Sequence, residues 1–353
     1  MNRHHVLASL LGLVIAAAFC QAQSFVLDLP RSSQHALISQ RVGITDITIN
    51  YHRPLVNGRK VWGGLVPYGQ VWRAGANENT TITFTDPVTI EGKPLDKGSY
   101  GLHMIPGESE WTVIFSKNST SWGSFTYNQA EDALRVTVKP QATDLHEALT
   151  YDFAQVKPDS SVVTLAWERI AVPFTVGVNT KELVAENLHR QLRGLAQYSW
   201  DGWDDAAHYL LDSNVHLDEA LQYEDKSIQN EERFENLVTK SLILDALGRK
   251  EDASTVRDKA LAKAMPLQLH IYARQLQAQK KQDEAFAIFR SNYKKYPNEW
   301  FVHTGMARVY SAQGDFENAA KEMETALASA PDQQKSYVDG LVRRLQAKED
   351  INK

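Results

Sequence analysis

Cysteine is almost absent from this sequence, and that scarcity excludes several kinds of chemistry. Of 353 residues only Cys20 is a cysteine, and it lies at the end of an apolar N-terminal stretch. No disulfide, thiolate metal site or cysteine nucleophile can therefore be built from the residues that follow it. The folded chain must take its stability from buried apolar surface instead.

Long hydrophobic runs are also missing, with one short exception at the N-terminus. A basic residue precedes the apolar run Val6–Phe19, and Cys20-Gln21-Ala22 follows it. The run has about 14 residues, fewer than the ~20 that a membrane-spanning helix needs, so it predicts a signal peptide over residues 1–22 and no membrane span. We expect an exported protein, soluble and either periplasmic or extracellular, after cleavage near Ala22. A lipoprotein anchored through Cys20 is less favoured, because Phe19 stands where such signals have a small residue.

Clusters of basic residues are lacking as well. Lys and Arg number 38 against 43 Asp and Glu, which gives a net charge of −5, and neither half of the chain carries a basic field. Binding to nucleic acid needs clustered positive charge that displaces condensed counterions. We therefore predict no nucleic-acid partner.

The familiar catalytic motifs are missing too. The sequence has no Gly-x-Ser-x-Gly elbow, no phosphate loop ending in Gly-Lys-Ser/Thr and no paired-histidine zinc helix. The histidines beyond the signal are scattered without ligand spacing, so no metal and no cofactor is predicted, although His52 and His103 lie on predicted strands and could meet. Carboxylates are abundant, and a pair on two strands cannot be recognised from sequence, so a glycosidase-type site stays open.

From about Thr45 to Val178 the sequence predicts β-strands. Short runs such as Ile47, Ile49 and Tyr51 alternate with polar residues, and turns rich in Gly, Pro, Asp and Asn separate them. About nine such strands have no helical pattern between them, whereas parallel pairing would need crossover helices. We predict an antiparallel β-sandwich or partly open barrel. Its core is expected to hold Trp62, Trp72, Trp111, Trp122 and Trp167.

At Asn179 the hydrophobic period changes from two to about 3.6. Asn179 and Glu182 have the spacing of a capping box, and leucines at helical spacing follow them. The change predicts a domain boundary near residue 178, after which the chain is an α-helical solenoid.

The C-terminal half contains an internal repeat. Pro297 and Pro331 lie 34 residues apart, as do Ala285 and Ala319. The segment 300–331 predicts a helix, a turn and a second helix, and it resembles the tetratricopeptide repeat over its whole length. The alanines matter because neighbouring hairpins must approach closely.

Other units of the repeat fit less well. Lys280 stands in the preceding unit, 266–299, where glycine is usual, and two earlier units place Ala220 and Ala253 in the small-residue position. The predicted organisation is a signal peptide (1–22), a β-rich domain (23–178), a linking helix (179–200), tetratricopeptide-like repeats (201–333) and a C-terminal cap helix (334–353).

Short motifs in a fixed order run through the β-rich half. They include Gly58-Arg59-Lys60, Val71-Trp72-Arg73-Ala74-Gly75, Gly98-Ser99-Tyr100-Gly101 and Trp167-Glu168. On these motifs residues 35–178 resemble a family of exported bacterial proteins that carry domain of unknown function 2911, some of which continue into tetratricopeptide-like repeats. The resemblance implies a β-domain paired with export, and it brings no activity.

The segment 53–80 is a long Gly-rich excursion between two strands, and such loops are often functional. Its residue types suit a polar ligand, because guanidinium groups bind carboxylate or phosphate and indole rings stack. The candidate ligand-binding residues are Arg53, Arg59, Trp72, Arg73, Asn77 and Glu78. The alternative is that Arg73 pairs with Glu78 and that the tryptophans cover the end of the sandwich.

The helical repeats predict a second candidate site. In a tetratricopeptide hairpin the first helix lines the concave face, and the resemblance places these helices at about 266–279 and 300–313. We expect burial in the core for Tyr272, Ala273, Met306, Ala307 and Tyr310. By helical spacing the residues that point into a groove for a protein or peptide partner are His270, Arg274, Gln277, Thr304 and Arg308. Two arginines there suit an acidic segment or a chain terminus.

These observations favour an exported binding and scaffolding protein over an enzyme. The repeats would engage the partner, and the β-domain would bind a small polar or glycan-like ligand. The alternative is a hydrolase of a saccharide or envelope polymer with Arg73 and Glu78 in its site. A third hypothesis makes the β-domain purely structural.

Overall fold

A computed structural model describes residues 30–353 of the chain. The predicted signal peptide and Cys20 lie outside the described residues. The chain divides into two compact units between Val178 and Asn179. No helix among the described residues is long and apolar enough to cross a membrane.

The first unit consists of two antiparallel sheets. Its strands are β1 Gln34–Val42, β2 Thr45–Arg53, β3 Thr81–Phe84, β4 Val88–Ile90, β5 Lys93–Leu95, β6 Gly98–Ile105, β7 Trp111–Ser116, β8 Asp132–Val138, β9 Gln141–Ala154 and β10 Ser160–Gly177. The order is β1-β2-β3-β6-β7-β8 in one sheet and β5-β4-β10-β9 in the other. The sheets are not closed on each other, which confirms the sandwich alternative of the prediction.

The core of this unit lies between the two sheets. Ile47, Ile49 and Tyr51 of β2 are buried as their alternation predicted. Rings meet across the layers: Tyr51 packs edge-on against Tyr151 with centroids 4.8 Å apart, and Phe115 of β7 meets Phe174 of β10 in the same way. The period-two pattern of the sequence is therefore the pattern of burial.

Four of the five tryptophans expected in the core belong to it, and one does not. Trp62, Trp111 and Trp167 are buried and Trp72 is partly buried. Trp122 is 59% exposed in the loop between β7 and β8, where it stacks on Phe125. The prediction is wrong for Trp122, because its loop lies outside the strands whose inner faces fill the core.

The second unit is helical. Its helices are α1 Thr180–Gln191, α2 Trp200–Ser213, α3 Leu217–Asn230, α4 Phe234–Ala246, α5 Lys250–Lys263, α6 Pro266–Ala278, α7 Gln282–Lys295, α8 Trp300–Ala312, α9 Phe316–Ser329 and α10 Asp332–Gln346. The linking segment is α1 followed by a short 3-10 helix, Leu195–Tyr198, rather than one helix over residues 179–200. Asn179 makes no side-chain capping hydrogen bond, so the predicted capping box is wrong.

Helices α2 to α9 form four successive hairpins, and their repeat is visible at two kinds of position. Ala220, Ala253, Ala285 and Ala319 are all fully buried, as close packing of the hairpins requires. The bends between helices need left-handed backbone. Gly248 and Gly314 supply it with φ of 79° and 76°, and Lys280 adopts φ of 64° without the freedom of glycine.

Helix α10 packs on α9 and closes the array. The chain then reverses at Lys348, which has φ of 59°, and residues 349–353 follow without regular helix. Ile351 in this segment is 4% exposed and belongs to the same apolar core as Ala307 of α8 and Leu341 of α10. The C-terminal segment is thus packed against the first helices of the hairpins.

Candidate functional site

The predicted core positions of α6 and α8 lie where the repeat placed them. Tyr272, Ala273, Met306 and Ala307 are buried, and Tyr310 is partly buried. Gly305 shows how closely the helices approach, since a Cβ atom there would lie 2.6 Å from Cδ1 of Phe289 on α7. The register of the first helices is therefore fixed by packing.

The predicted groove residues divide into two groups. His270, Arg274 and Gln277 of α6 are partly buried. Thr304 and Arg308 of α8 are 6% and 4% exposed, so the expectation that they face an open groove is wrong. For Arg308 the physical reason is that the chain's own C-terminal segment covers its helix.

The C-terminal segment is held on these helices by hydrogen bonds to both its backbone and its side chains. Arg308 Nη1 donates to the carbonyl oxygen of Ile351 at 2.8 Å, and Asn352 Nδ2 donates to the carbonyl oxygen of Arg308 at 2.9 Å. Ser311 Oγ donates to Asp350 Oδ1 and accepts from the Ile351 backbone N–H, both at 3.0 Å. Gln277 Nε2 on α6 donates to Asn352 Oδ1 at 2.8 Å. Helices α6 and α8 therefore hold the chain's own C-terminal segment, in which Asn352 N–H donates to Asp350 Oδ1 at 3.0 Å and closes a turn.

The charge of Arg308 is compensated without a carboxylate. Its Nη2 donates to the Tyr337 hydroxyl at 3.2 Å, and among residues 30–353 no Asp or Glu oxygen forms an ion pair with it. Burial, and next the charge of Arg274, lower the pKa of Arg308. The carbonyl of Ile351 is therefore one of only two acceptors that this buried guanidinium has within the described residues.

His270 and Arg274 continue the groove on α6. His270 packs against the rings of Phe289 and Phe301, and burial followed by the nearby arginines lowers its pKa to about 4. The imidazole is therefore neutral at physiological pH. Arg274 Nη1 donates to Gln277 Oε1 at 2.9 Å, which orients the amide that holds Asn352.

In the β unit, two of the predicted ligand residues, Arg53 and Asn77, have hydrogen-bond partners within the unit. Arg53 donates to the Leu149 carbonyl at 2.9 Å and to Thr150 Oγ1 at 2.7 Å, and so ties β2 to β9. Asn77 Nδ2 donates to the carbonyl of Ser33 at 3.3 Å. These two residues are not brought to the cleft described next.

Glu78 has partners from outside the predicted segment. Its carboxylate pairs with Arg31 at 2.6 Å and with His52 at 3.4 Å. Burial opposes ionisation of Glu78, but the hydrogen bond from Arg31 and the neighbouring charges hold the pKa of its carboxyl below the usual value. The predicted alternative in which Glu78 pairs with Arg73 is wrong, and His52 lies beside His35 and Glu78.

His103, the other histidine of the predicted pair, has different partners. Its Nδ1 lies 2.8 Å from Ser124 Oγ, and its ring packs against Tyr127. Burial lowers the pKa of His103 to about 4. The described residues contain no group of three or more side chains placed to hold a metal ion.

Three predicted residues do come together. Arg59, Trp72 and Arg73 line one cleft of about 280 Å³. Arg59 is exposed and donates to the carbonyl of Val56 at 3.0 Å, while Trp72 Nε1 donates to the carbonyl of Gly75 at 3.1 Å. The other lining residues are Ser32, Ser33, Pro54, Leu55, Asn57, Leu65, Val66, Gly75, Ala76 and Trp167.

Arg73 has aromatic neighbours instead of a carboxylate. Its guanidinium carbon lies 5.5 Å from the ring centre of Trp122 and 5.9 Å from that of Phe125, and burial lowers the pKa of Arg73. The sequence reasoning missed Trp167 as a lining residue of this cleft, and it missed Trp122 and Phe125 as neighbours of Arg73. Trp167 lay in one of the short motifs, which was the available signal.

No curated protein matches this chain. Two solved structures are similar to the helical repeat region, each over 48% of this chain. One, "Crystal structure of APC/C hetero-tetramer Cut9-Hcn1", has 15% identity, a TM-score of 0.29 and 33% of its own length covered, so the chain spans one third of that protein. The other, "Crystal structure of YrrB: a TPR protein with an unusual peptide-binding site", has 14% identity, a TM-score of 0.26 and 88% of its length covered.

Over residues 33–176 the chain matches the model of the family described as "Protein of unknown function (DUF2911)", and the resemblance that its motifs indicated is confirmed over those residues.

Proposed function

We propose that the helical unit is a peptide-binding module that engages a protein partner through the concave side of α6 and α8. The supporting observation is that Gln277, Arg308 and Ser311 already hold a turn of the chain, residues 350–352, by five hydrogen bonds. Two of these bonds reach the backbone of Ile351, and backbone recognition is what lets a groove accept segments of other sequence.

The chemistry of the bound segment indicates the class of partner. Asp350 supplies a carboxylate, Ile351 an apolar side chain that becomes buried, and Asn352 an amide. The partner would present the same order, an acidic residue followed by an apolar residue and an amide, in a similar turn. A basic peptide is disfavoured by Arg274 and Arg308.

The test is binding of a labelled peptide with the sequence of residues 348–353 to the full chain, followed by fluorescence anisotropy. The variant Asp350→Ala/Asn352→Ala, which loosens the intrachain segment, should bind the peptide more tightly than the unaltered protein. Adding Gln277→Ala to that variant removes one hydrogen bond and should weaken binding about fivefold. Gln275→Ala on the exposed side of α6 is the matched control. Equal binding of a scrambled peptide would refute recognition by this groove.

We propose a second role for the β unit, the binding of a small polar ligand in the cleft lined by Arg59, Trp72 and Arg73. Two observations support this role: three of the predicted residues line the same cleft, and the cleft has a volume of about 280 Å³. The hydrolase alternative places Glu78 at the reaction centre. A saccharide-polymer hydrolysis assay distinguishes the binding role from the hydrolase role. Glu78→Gln should abolish any hydrolytic activity if the protein is a hydrolase, and it should leave ligand binding intact if the β unit only binds the ligand.

We further propose that the protein is exported, in the periplasm or beyond the cell, with its mature chain beginning near residue 23. The apolar run Val6–Phe19 and the small residue Ala22 support this.

A further inference from the structure

Two side chains that line the β-unit cleft carry buried hydrogen-bond donors without an acceptor. Arg73 Nε and Trp167 Nε1 are buried, belong to residues that line the cleft, and have no hydrogen-bond partner among residues 30–353. Trp62 Nε1 is also buried without a partner, and its ring contacts Trp72 and Trp167 at centroid distances of 5.7 and 5.6 Å. Buried N–H groups of this kind are costly unless an acceptor reaches them.

The charge of the cleft has one sign. Its thirteen lining residues include Arg59 and Arg73 but no Asp or Glu. Glu78, the carboxylate whose charge acts on Arg73, is engaged by Arg31 and His52. The guanidinium of Arg73 makes no ion pair within the described residues, so the aromatic faces of Trp122 and Phe125 are its stabilising contacts.

One part of the cleft lining is apolar and flat. Trp72 and Trp167 are stacked there with centroids 5.9 Å apart, and Leu55, Leu65 and Val66 are further apolar lining residues, beside the polar Ser32, Ser33 and Asn57. A volume of about 280 Å³ accommodates one ring with its substituents. Positively charged guanidinium donors beside flat tryptophan rings are complementary to a ligand ring that carries acceptor oxygens.

We infer that this cleft binds an anion, the carboxylate or phosphate of a small ring-bearing molecule such as an acidic monosaccharide, with Arg73 as the principal charged contact and Arg59 at the rim. The inference rests on the proposed ligand-binding role of the β unit and adds the charge of the ligand. Guanidinium groups are suited to both carboxylate and phosphate, since their N–H groups form charge-assisted hydrogen bonds with either.

The experiment titrates the full chain with glucuronate, glucose 1-phosphate and glucose, followed by tryptophan fluorescence and calorimetry. At least one of the two anions should bind about tenfold or more tightly than glucose, as expected for a charge-assisted hydrogen bond. The comparison of the two anions distinguishes carboxylate from phosphate as the source of the charge. Arg73→Met should abolish the preference for the anion, and Arg41→Gln, an exposed arginine outside the cleft, should leave it unchanged.

The outcomes are distinguishable. Equal affinity for glucose and both anions would overturn the inference while leaving the small-ligand role in place. Binding of none of the three would overturn the role itself. If thermal melting shows that Arg73→Met does not fold, Arg59→Gln at the exposed rim is the second variant. An anion preference that persists in Arg59→Gln and falls steeply with added salt supports the inference. An anion preference that does not change with salt contradicts it.

Discussion

Glu224→Gln should stabilise the helical unit at neutral pH, because Glu224 is a carboxyl buried without a donor. It lies on α3 with no exposed surface, and neither of its oxygens has a hydrogen-bond partner among residues 30–353. Burial, followed by the carboxyl of Asp204 on α2, raises the pKa of Glu224 to about 10. In the folded unit Glu224 is therefore protonated at pH 7.

The sign and size of the effect follow from proton linkage. The ordinary pKa of a glutamate is 4.5, so between that value and about 10 the folded unit binds one proton more than the unfolded chain. The associated stability is complete below pH 4.5 and is lost as the pH rises, by about 1.4 kcal/mol per pH unit. At pH 7 the loss is on the order of 3 kcal/mol, and glutamine, which does not titrate, should recover most of it.

The assay is chemical denaturation of the full chain, with helical circular dichroism as the readout, at pH 6, 7 and 8. The free energy of unfolding of the unaltered protein should fall by about 3 kcal/mol over this range, and that of Glu224→Gln should change much less. Glu251→Gln, an exposed carboxylate on α5, is the control and should follow the unaltered protein. A flat profile for the unaltered protein, or a parallel one for Glu224→Gln, would refute the reasoning.

Other predictions test the repeat, the groove, the division of the chain and export. Lys280→Gly should raise the melting temperature, since relieving a left-handed non-glycine residue gains about 1 kcal/mol, and no change would show that the bend is unstrained. Arg274→Ala should lose partners in a pull-down at constant salt, and unchanged recovery would remove this arginine from the groove. Fragments 23–178 and 179–353 should each melt cooperatively, and failure of both would contradict two separately folded units. Mass spectrometry of the exported product should find a start near Gln23, and a lipidated N-terminal cysteine would contradict it.

The fold was predictable from sequence where the hydrophobic pattern was strong. The alternation in β2 and the buried alanines of the hairpins set the two architectures. Strand β1, Gln34–Val42, was not predicted, because it is an edge strand with partly or fully exposed side chains along most of its length. Strand β10 is a single strand of 18 residues with register shifts on either side of Glu168, whose φ is 55°, and an irregularity of this kind is not visible in a period-two pattern.

The candidate sites were less predictable, because they depend on contacts between residues far apart in the chain. Helical spacing predicted that Arg308 points into an open groove for a partner. It could not show that Ile351, a single apolar residue within a polar segment, covers that position. Nor could the sequence assign Glu78 to Arg31, because the pair lies 47 residues apart and Arg73 was the nearer candidate.

Arg73 and Arg308 had equal standing as candidates in the sequence, and their surroundings now separate them. A desolvated guanidinium needs acceptors, and burial without them is costly. Arg308 obtains a carbonyl and a hydroxyl from residues of its own chain, so a partner peptide can reach it only by displacing residues 350–352. Arg73 obtains only aromatic faces, while the Nε of both arginines remains without an acceptor. A ligand at Arg73 would therefore add interactions that the folded chain lacks, whereas a partner at Arg308 must exchange one set of hydrogen bonds for another. We expect the cleft to bind its ligand without competition. We expect the groove to bind a partner only in competition with the C-terminal segment.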